Sequence, residues 1–102
     1  MFRLSRLAEA DLLSIGAYTL RTWGEAQTIR YLDELEACCQ KLAENPASGR
    51  SCHDIRSGLY RREQGKHVIF FQRESGAILV SRILHVCMLP ERLAFTDDDN
   101  TH

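Results

Sequence analysis

Residues 59–85, LYRREQGKHVIFFQRESGAILVSRILH, decide the fold. Three runs rich in apolar, aromatic and β-branched residues, LYRRE from Leu59, HVIFFQ from His67 and AILVSRIL from Ala77, are separated by the short breaks Gln64-Gly65-Lys66 and Glu74-Ser75-Gly76. A glycine in each break predicts a hairpin, and two hairpins in succession predict three antiparallel strands. In the middle run Val68, Ile69, Phe70 and Phe71 are apolar without alternation, which predicts a central strand covered on both faces.

A sheet of this kind needs an apolar cover, and the sequence upstream supplies one. In residues 25–44, Ile29, Leu32, Leu35, Cys39 and Leu42 recur at helical spacing, with Arg30, Asp33, Glu34, Glu36 and Lys41 largely off that stripe. In residues 8–22 the stripe is Leu12, Ile15 and Thr19, flanked by Ala8 and Trp23, and Glu9 and Asp11 suit the positive end of the helix dipole. Only Trp23-Gly24 separates the two helices, so they form an antiparallel hairpin sharing one apolar face. Asn45-Pro46 ends the second helix, because a residue before proline is pushed out of the helical region. The opening FRLS reads as a short first strand, and PASGRSCHDIRSG, residues 46–58, as turns. The expected class is α+β, in the order β-α-α-β-β-β, with a helical hairpin on one face of an antiparallel-rich twisted sheet. Pro90 starts a last helical turn, and the expected organisation is one domain over residues 1–96 with a frayed acidic tail at 97–102.

The composition of 102 residues, 44% hydrophobic and 26% charged, suits one modest core and leaves no room for a deep cofactor cavity. The net charge of −1 excludes a general polyelectrolyte binder and gives no expectation of direct DNA binding. Its distribution is uneven: residues 1–49 carry a net −2, residues 50–92 a net +4, and the remainder −3 from Asp97, Asp98 and Asp99. Eleven of the basic residues are arginine and two are lysine, which favours bidentate contacts with carboxylates or phosphates. No continuous apolar run suggests a membrane span or export signal, and a reducing cytoplasmic setting is expected.

Motifs exclude more than they assign. No P-loop, G-x-G-x-x-G or G-x-S-x-G occurs, and neither C-x-x-C nor H-x-x-x-H spacing is present, so no metal or other cofactor is expected. Cys38 and Cys39, adjacent on a helix, diverge and act as small core residues. Cys52 beside His53 is an incidental neighbour pair. His85, at the end of the last strand, is the one candidate general acid or base. Alternation allows only one of Arg61 and Arg62 to join Arg82 on the sheet face away from the helices, where a basic patch would form.

These elements and several local patterns together resemble the ParE/RelE superfamily of small toxins from bacterial type II toxin–antitoxin modules, the ParE branch most closely. The resemblance rests on Ala8-Glu9-Ala10-Asp11-Leu12 with Ile15 and Tyr18, on Gly24 with Ala26, Tyr31 and Leu32, on Leu42-Ala43 before Pro46, and on Gly49-Arg50, Ile55 and Gly58-Leu59-Arg61. It continues through His67-Val68-Ile69-Phe70-Phe71 and Arg82-Ile83-Leu84-His85.

The resemblance implies a toxin that disables DNA gyrase, is not an enzyme, and is neutralised by a ParD-like antitoxin. The RelE alternative cuts ribosome-bound messenger RNA, and here it would rely on His85, Arg82 and Arg61. The RelE pattern is largely missing, since Val68 and then Val86, Cys87 and Met88 stand where it has basic residues, and no tyrosine follows Tyr60. A third reading is a non-toxic protein-binding module of the same fold. Arg50, Arg56, Arg61 and Arg82 are the expected contacts for an acidic antitoxin tail, and Pro90, Leu93 and Phe95 those for the target.

Overall fold

The computed structural model describes residues 1–86. Pro90, Leu93, Phe95 and the tail at 97–102 lie outside them. The elements are β1 (Phe2–Leu4), α1 (Arg6–Trp23), α2 (Glu25–Glu44), a 3₁₀ turn (Pro46–Ser48), β2 (Arg50–Ser51), β3 (Leu59–Gln64), β4 (His67–Glu74) and β5 (Ala77–His85). The helical hairpin and the three-strand meander stand where the residue pattern puts them. A fifth strand, β2, lies within the segment expected to be turns alone. It is two residues long, pairing Arg50 with Arg61 and Ser51 with Tyr60, too short to leave a period in the sequence.

The sheet runs β1-β5-β4-β3-β2, antiparallel throughout except for β1, which lies parallel to β5. A parallel neighbour requires a crossover, and the helical hairpin is that crossover. Both faces of β4 are buried, as its unbroken apolar run implies. Ile69 and Phe71 face the helices and pack with Ile15, Leu35, Cys39 and Leu42. Val68 and Phe70 face the other way, with Cys52, Leu59 and Leu84. Cys38 and Cys39 are free thiols in or beside the helix-side core, and burial pushes the Cys39 thiol up to about 12. Ile29 and Trp23, expected on the apolar stripes, are exposed instead: both lie beside the Gly24 turn, while the face on the sheet is filled by Leu12, Leu32 and Leu35.

Local chemistry fixes the helix ends. Ser5, extended, caps α1 by accepting from the Ala8 N–H at 3.0 Å. Gly24 closes α1 and opens α2 with φ of 93° and ψ of 175°, a conformation essentially confined to glycine.

The joint between α1 and β5 was not visible in the sequence pattern. Beyond Val80, β5 has no strand on its β1 side, because β1 pairs only with Ile78, Leu79 and Val80. Side chains and backbone at the start of α1 take over. The Ser5 N–H donates to the Val80 carbonyl at 2.9 Å, and the Ser5 hydroxyl to that of Ser81 at 2.8 Å. Six residues further on, the Asp11 carboxylate accepts from the Ile83 N–H at 2.9 Å and from Arg82 Nε and a terminal nitrogen at 2.8 and 3.0 Å.

A register shift between Phe70 and Phe71 leaves Ser81 as the extra residue of a bulge. Val80 and Ile83 both face the helices, and Arg82 is left beside α1. Register sets Arg82 opposite Phe70 and so on the far face with Arg61, but its guanidinium is engaged by Asp11 of α1 at the β5 edge in a bidentate pair, which takes it out of an open basic patch.

The Arg82 and Asp11 side chains are 14% and 13% exposed, so removing either partner strands a nearly buried charge. Asp11→Ala is expected to cost about 3–5 kcal/mol, and adding Arg82→Met to recover much of that loss. Denaturant midpoints of the two variants check both expectations.

Candidate functional site

Two surfaces gather chemistry, one on each side of the sheet. The first is a hollow of about 260 Å³ lined by Arg50, Ser51, Cys52, Asp54, Ile55 and Arg61. Arg50 and Arg61 are direct partners across β2 and β3. Like charges set opposite each other are unfavourable unless an anion joins them. Glu63 approaches Arg50 at 3.5 Å, but both side chains are more than half exposed, so the pair contributes little.

The hollow's floor is a tight loop. The Ile55 and Arg56 N–H groups both donate to the Cys52 carbonyl, the Leu59 N–H donates to Arg56, and the Gly58 N–H to His53 Nδ1. Arg56 thus sits in the same loop. Burial is the largest influence on the Cys52 thiol and raises its pKa, which suits a packing group more than a nucleophile. Of the four arginines expected to hold an acidic tail, Arg50 and Arg61 line one hollow, Arg56 is in its loop, and Arg82 is elsewhere.

The second surface is a half-open cleft of about 580 Å³ at the turn end of the helical hairpin, lined by Ile15, Tyr18, Thr19, Trp23, Gln27, Tyr31, Lys66, His67 and His85. Gly65, in the β3–β4 turn with φ of 61°, makes room for it: a Cβ there would lie 2.9 Å from the Tyr31 ring and hydroxyl. The Tyr31 hydroxyl is hydrogen-bonded to His67 Nδ1 and lies 3.3 Å from the Gln64 carbonyl oxygen.

His67 pairs with His85 across β4 and β5, their ring centroids 5.3 Å apart and nearly perpendicular. Burial, then the neighbouring His85, lower the His67 pKa from its usual value near 6.5, against a smaller opposing influence from Asp11. Burial likewise raises that of Tyr31. Sequence reading singled out His85 but not its companions, because Tyr31, His67 and His85 belong to three elements and meet only through strand register. His85 on this side, Arg61 across the sheet and Arg82 bound to Asp11 do not form one catalytic cluster.

Helical hairpin, five-stranded mixed sheet and these two surfaces together define a class of fold. The structure superposes on a chain of a chromosomal ParDE TA system from P. aeruginosa with a TM-score of 0.70, covering 82% of this chain and 92% of that one at 17% identity. A family model, ParE toxin of type II toxin-antitoxin system, parDE, matches residues 2–90. Toxin ParE1 of Caulobacter vibrioides is 38% identical over 87 residues, 85% of this chain and 90% of its own. Toxin ParE1 of Mycobacterium tuberculosis is 37% identical over 92 residues, 89% of this chain and 94% of its own, and Toxin ParE of Escherichia coli is 37% identical over 93 residues, covering 89% and 90%. The chain belongs to the ParE toxin family of type II toxin–antitoxin systems.

The lowered His67 pKa has a consequence for stability. The unfolded chain binds the proton more tightly than the folded one, so stability is complete above about pH 6.5 and falls as pH drops below it. His67→Gln should flatten that fall. Melting temperatures measured from neutral pH down to about one unit below the ordinary histidine value check this.

Proposed function

We propose that the free protein inhibits DNA gyrase, and that a ParD-like antitoxin neutralises it by laying an acidic segment along the Arg50–Arg61 hollow. Family membership supports a toxin with an antitoxin partner. One structural observation carries the choice of target class: the groups an RNA-cutting mechanism would use are separated. Cleavage of a phosphodiester needs a base for the 2′-hydroxyl, cations around the phosphate and an acid for the leaving oxygen, all within reach of one another. His85 lies at the helix-side cleft, Arg61 at the opposite hollow, and Arg82 is held by Asp11. A toxin that works by occupying a partner needs no such convergence. Among the described residues no helix is long and apolar enough to cross a membrane, which accords with a cytoplasmic site of action.

The antitoxin contact follows from charge. Two arginines facing each other across a strand pair gain most from a carboxylate placed between them. Arg61→Glu should weaken antitoxin binding at low salt by tenfold or more, with the difference shrinking as salt rises, whereas Arg62→Glu, on the other face of β3, should change it little. Calorimetric titration at two salt concentrations checks this.

The target is checked with purified protein. Gyrase-driven supercoiling should be inhibited while ribosome-bound messenger RNA stays intact, and His85→Gln should leave that inhibition nearly unchanged. Messenger RNA cleavage lost on the order of a hundredfold in the His85→Gln variant, with normal supercoiling, would establish the RelE-like reading instead. Normal growth on high expression, with neither effect, would favour the non-toxic binding module.

A further inference from the structure

The helix-side cleft takes no part in the antitoxin or target contacts just proposed, yet it has the make-up of a binding site. Its volume of about 580 Å³ falls within the roughly 300–1,000 Å³ usual for small-molecule pockets. Its lining is mostly apolar, with a few polar groups turned into it: Gln27, Lys66, His67 and His85. Trp23 is 68% exposed and Tyr18 58% exposed, two large rings at the same cleft with most of their area still in water.

The charge there is one-sided. No carboxylate is among the lining residues, and Lys66 is engaged in no ion pair among the described residues. His67, tied to Tyr31 and disfavouring protonation, adds an uncharged imidazole to the wall.

We propose that this cleft binds a mononucleotide, with its base against the exposed Trp23 and Tyr18 rings and its phosphate on the Lys66 ammonium. A flat heteroaromatic ring covers exposed aromatic faces over a large area, and every base has a face that stacks on them. The Gln27 amide offers both a donor and an acceptor to a base edge. The absence of lining carboxylates suits an anion. An apolar side chain from a protein partner would cover the rings but leave Lys66 and Gln27 unmatched. Nucleotide binding at this cleft is independent of which macromolecule the toxin disables.

Trp23 is the only tryptophan of the chain, so its fluorescence reports the cleft directly. The full chain is titrated with adenosine monophosphate and guanosine monophosphate, and in parallel with adenosine and with inorganic phosphate. At least one nucleotide is expected to change the emission saturably at micromolar to low millimolar concentration, with adenosine weaker and phosphate alone without effect. Lys66→Ala, an exposed position whose loss should leave the melting temperature unchanged, is expected to weaken the nucleotide by about tenfold while leaving adenosine as it was. No saturable response to either nucleotide, a response to phosphate equal to that of the nucleotides, or a Lys66→Ala variant binding nucleotide like the parent would each overturn the proposal.

Discussion

The Asp11 carboxylate holds α1 to the open half of β5, and the arrangement of the rest follows from that attachment. A five-stranded sheet with a three-residue parallel strand beside a nine-residue one leaves backbone groups of the longer strand uncovered. Unpaired edge groups are costly when buried and invite stray pairing when exposed. Here Ser5 and Asp11, six residues apart on the entry to α1, satisfy the edge in sequence: Val80 and Ser81 by the first, Arg82 and Ile83 by the second. The Ser5 hydroxyl thus caps the helix and bonds the sheet with the same oxygen. With α1 fixed on β5, Gly24 returns α2 across it, Leu35 and Leu42 enter the core, and Tyr31 arrives above the β3–β4 turn to meet His67.

That attachment also divides the arginines by role. Arg82 is committed to structure, while Arg50 and Arg61, opposed across β2 and β3, keep charge at the surface where an anion can reach it. The net positive segment is therefore less of a continuous patch than its charge count suggests. The cleft on the other side is built from aromatic and histidine side chains, with one lysine. The fold thus offers two chemically unlike surfaces back to back, one lined by opposed arginines and one by aromatic and histidine side chains with a lysine.

Much of this was legible in the residues. The 20-residue α2 was readable to its last residue, because helical spacing runs unbroken between two strong punctuation marks, Gly24 and Asn45-Pro46. The meander was readable from two glycine breaks. The engagement of Arg82 by Asp11 was not, since it joins residues 71 apart in sequence at the edge of the sheet, and neither was the bulge at Ser81, which resets the alternation without any mark in the sequence. Nor was β2, whose two residues look like loop. The cleft was hidden for a different reason: Tyr31, His67 and His85 are distant in sequence and become neighbours through hairpin register and helix docking. The family was legible because its short patterns recur in a fixed order, and the matching relatives span most of both chains.

The fold turns on the sealed edge of β5, and the amide of Ile83 reports it directly. Native-state hydrogen exchange should show this amide protected to nearly the same extent as those of the β4–β5 core, opening only when α1 leaves the sheet or the whole protein unfolds. Exchange of Ile83 at the rate of a frayed, solvent-exposed edge strand, while the core amides stay protected, would contradict the account and remove Asp11 as the joint between helix and sheet.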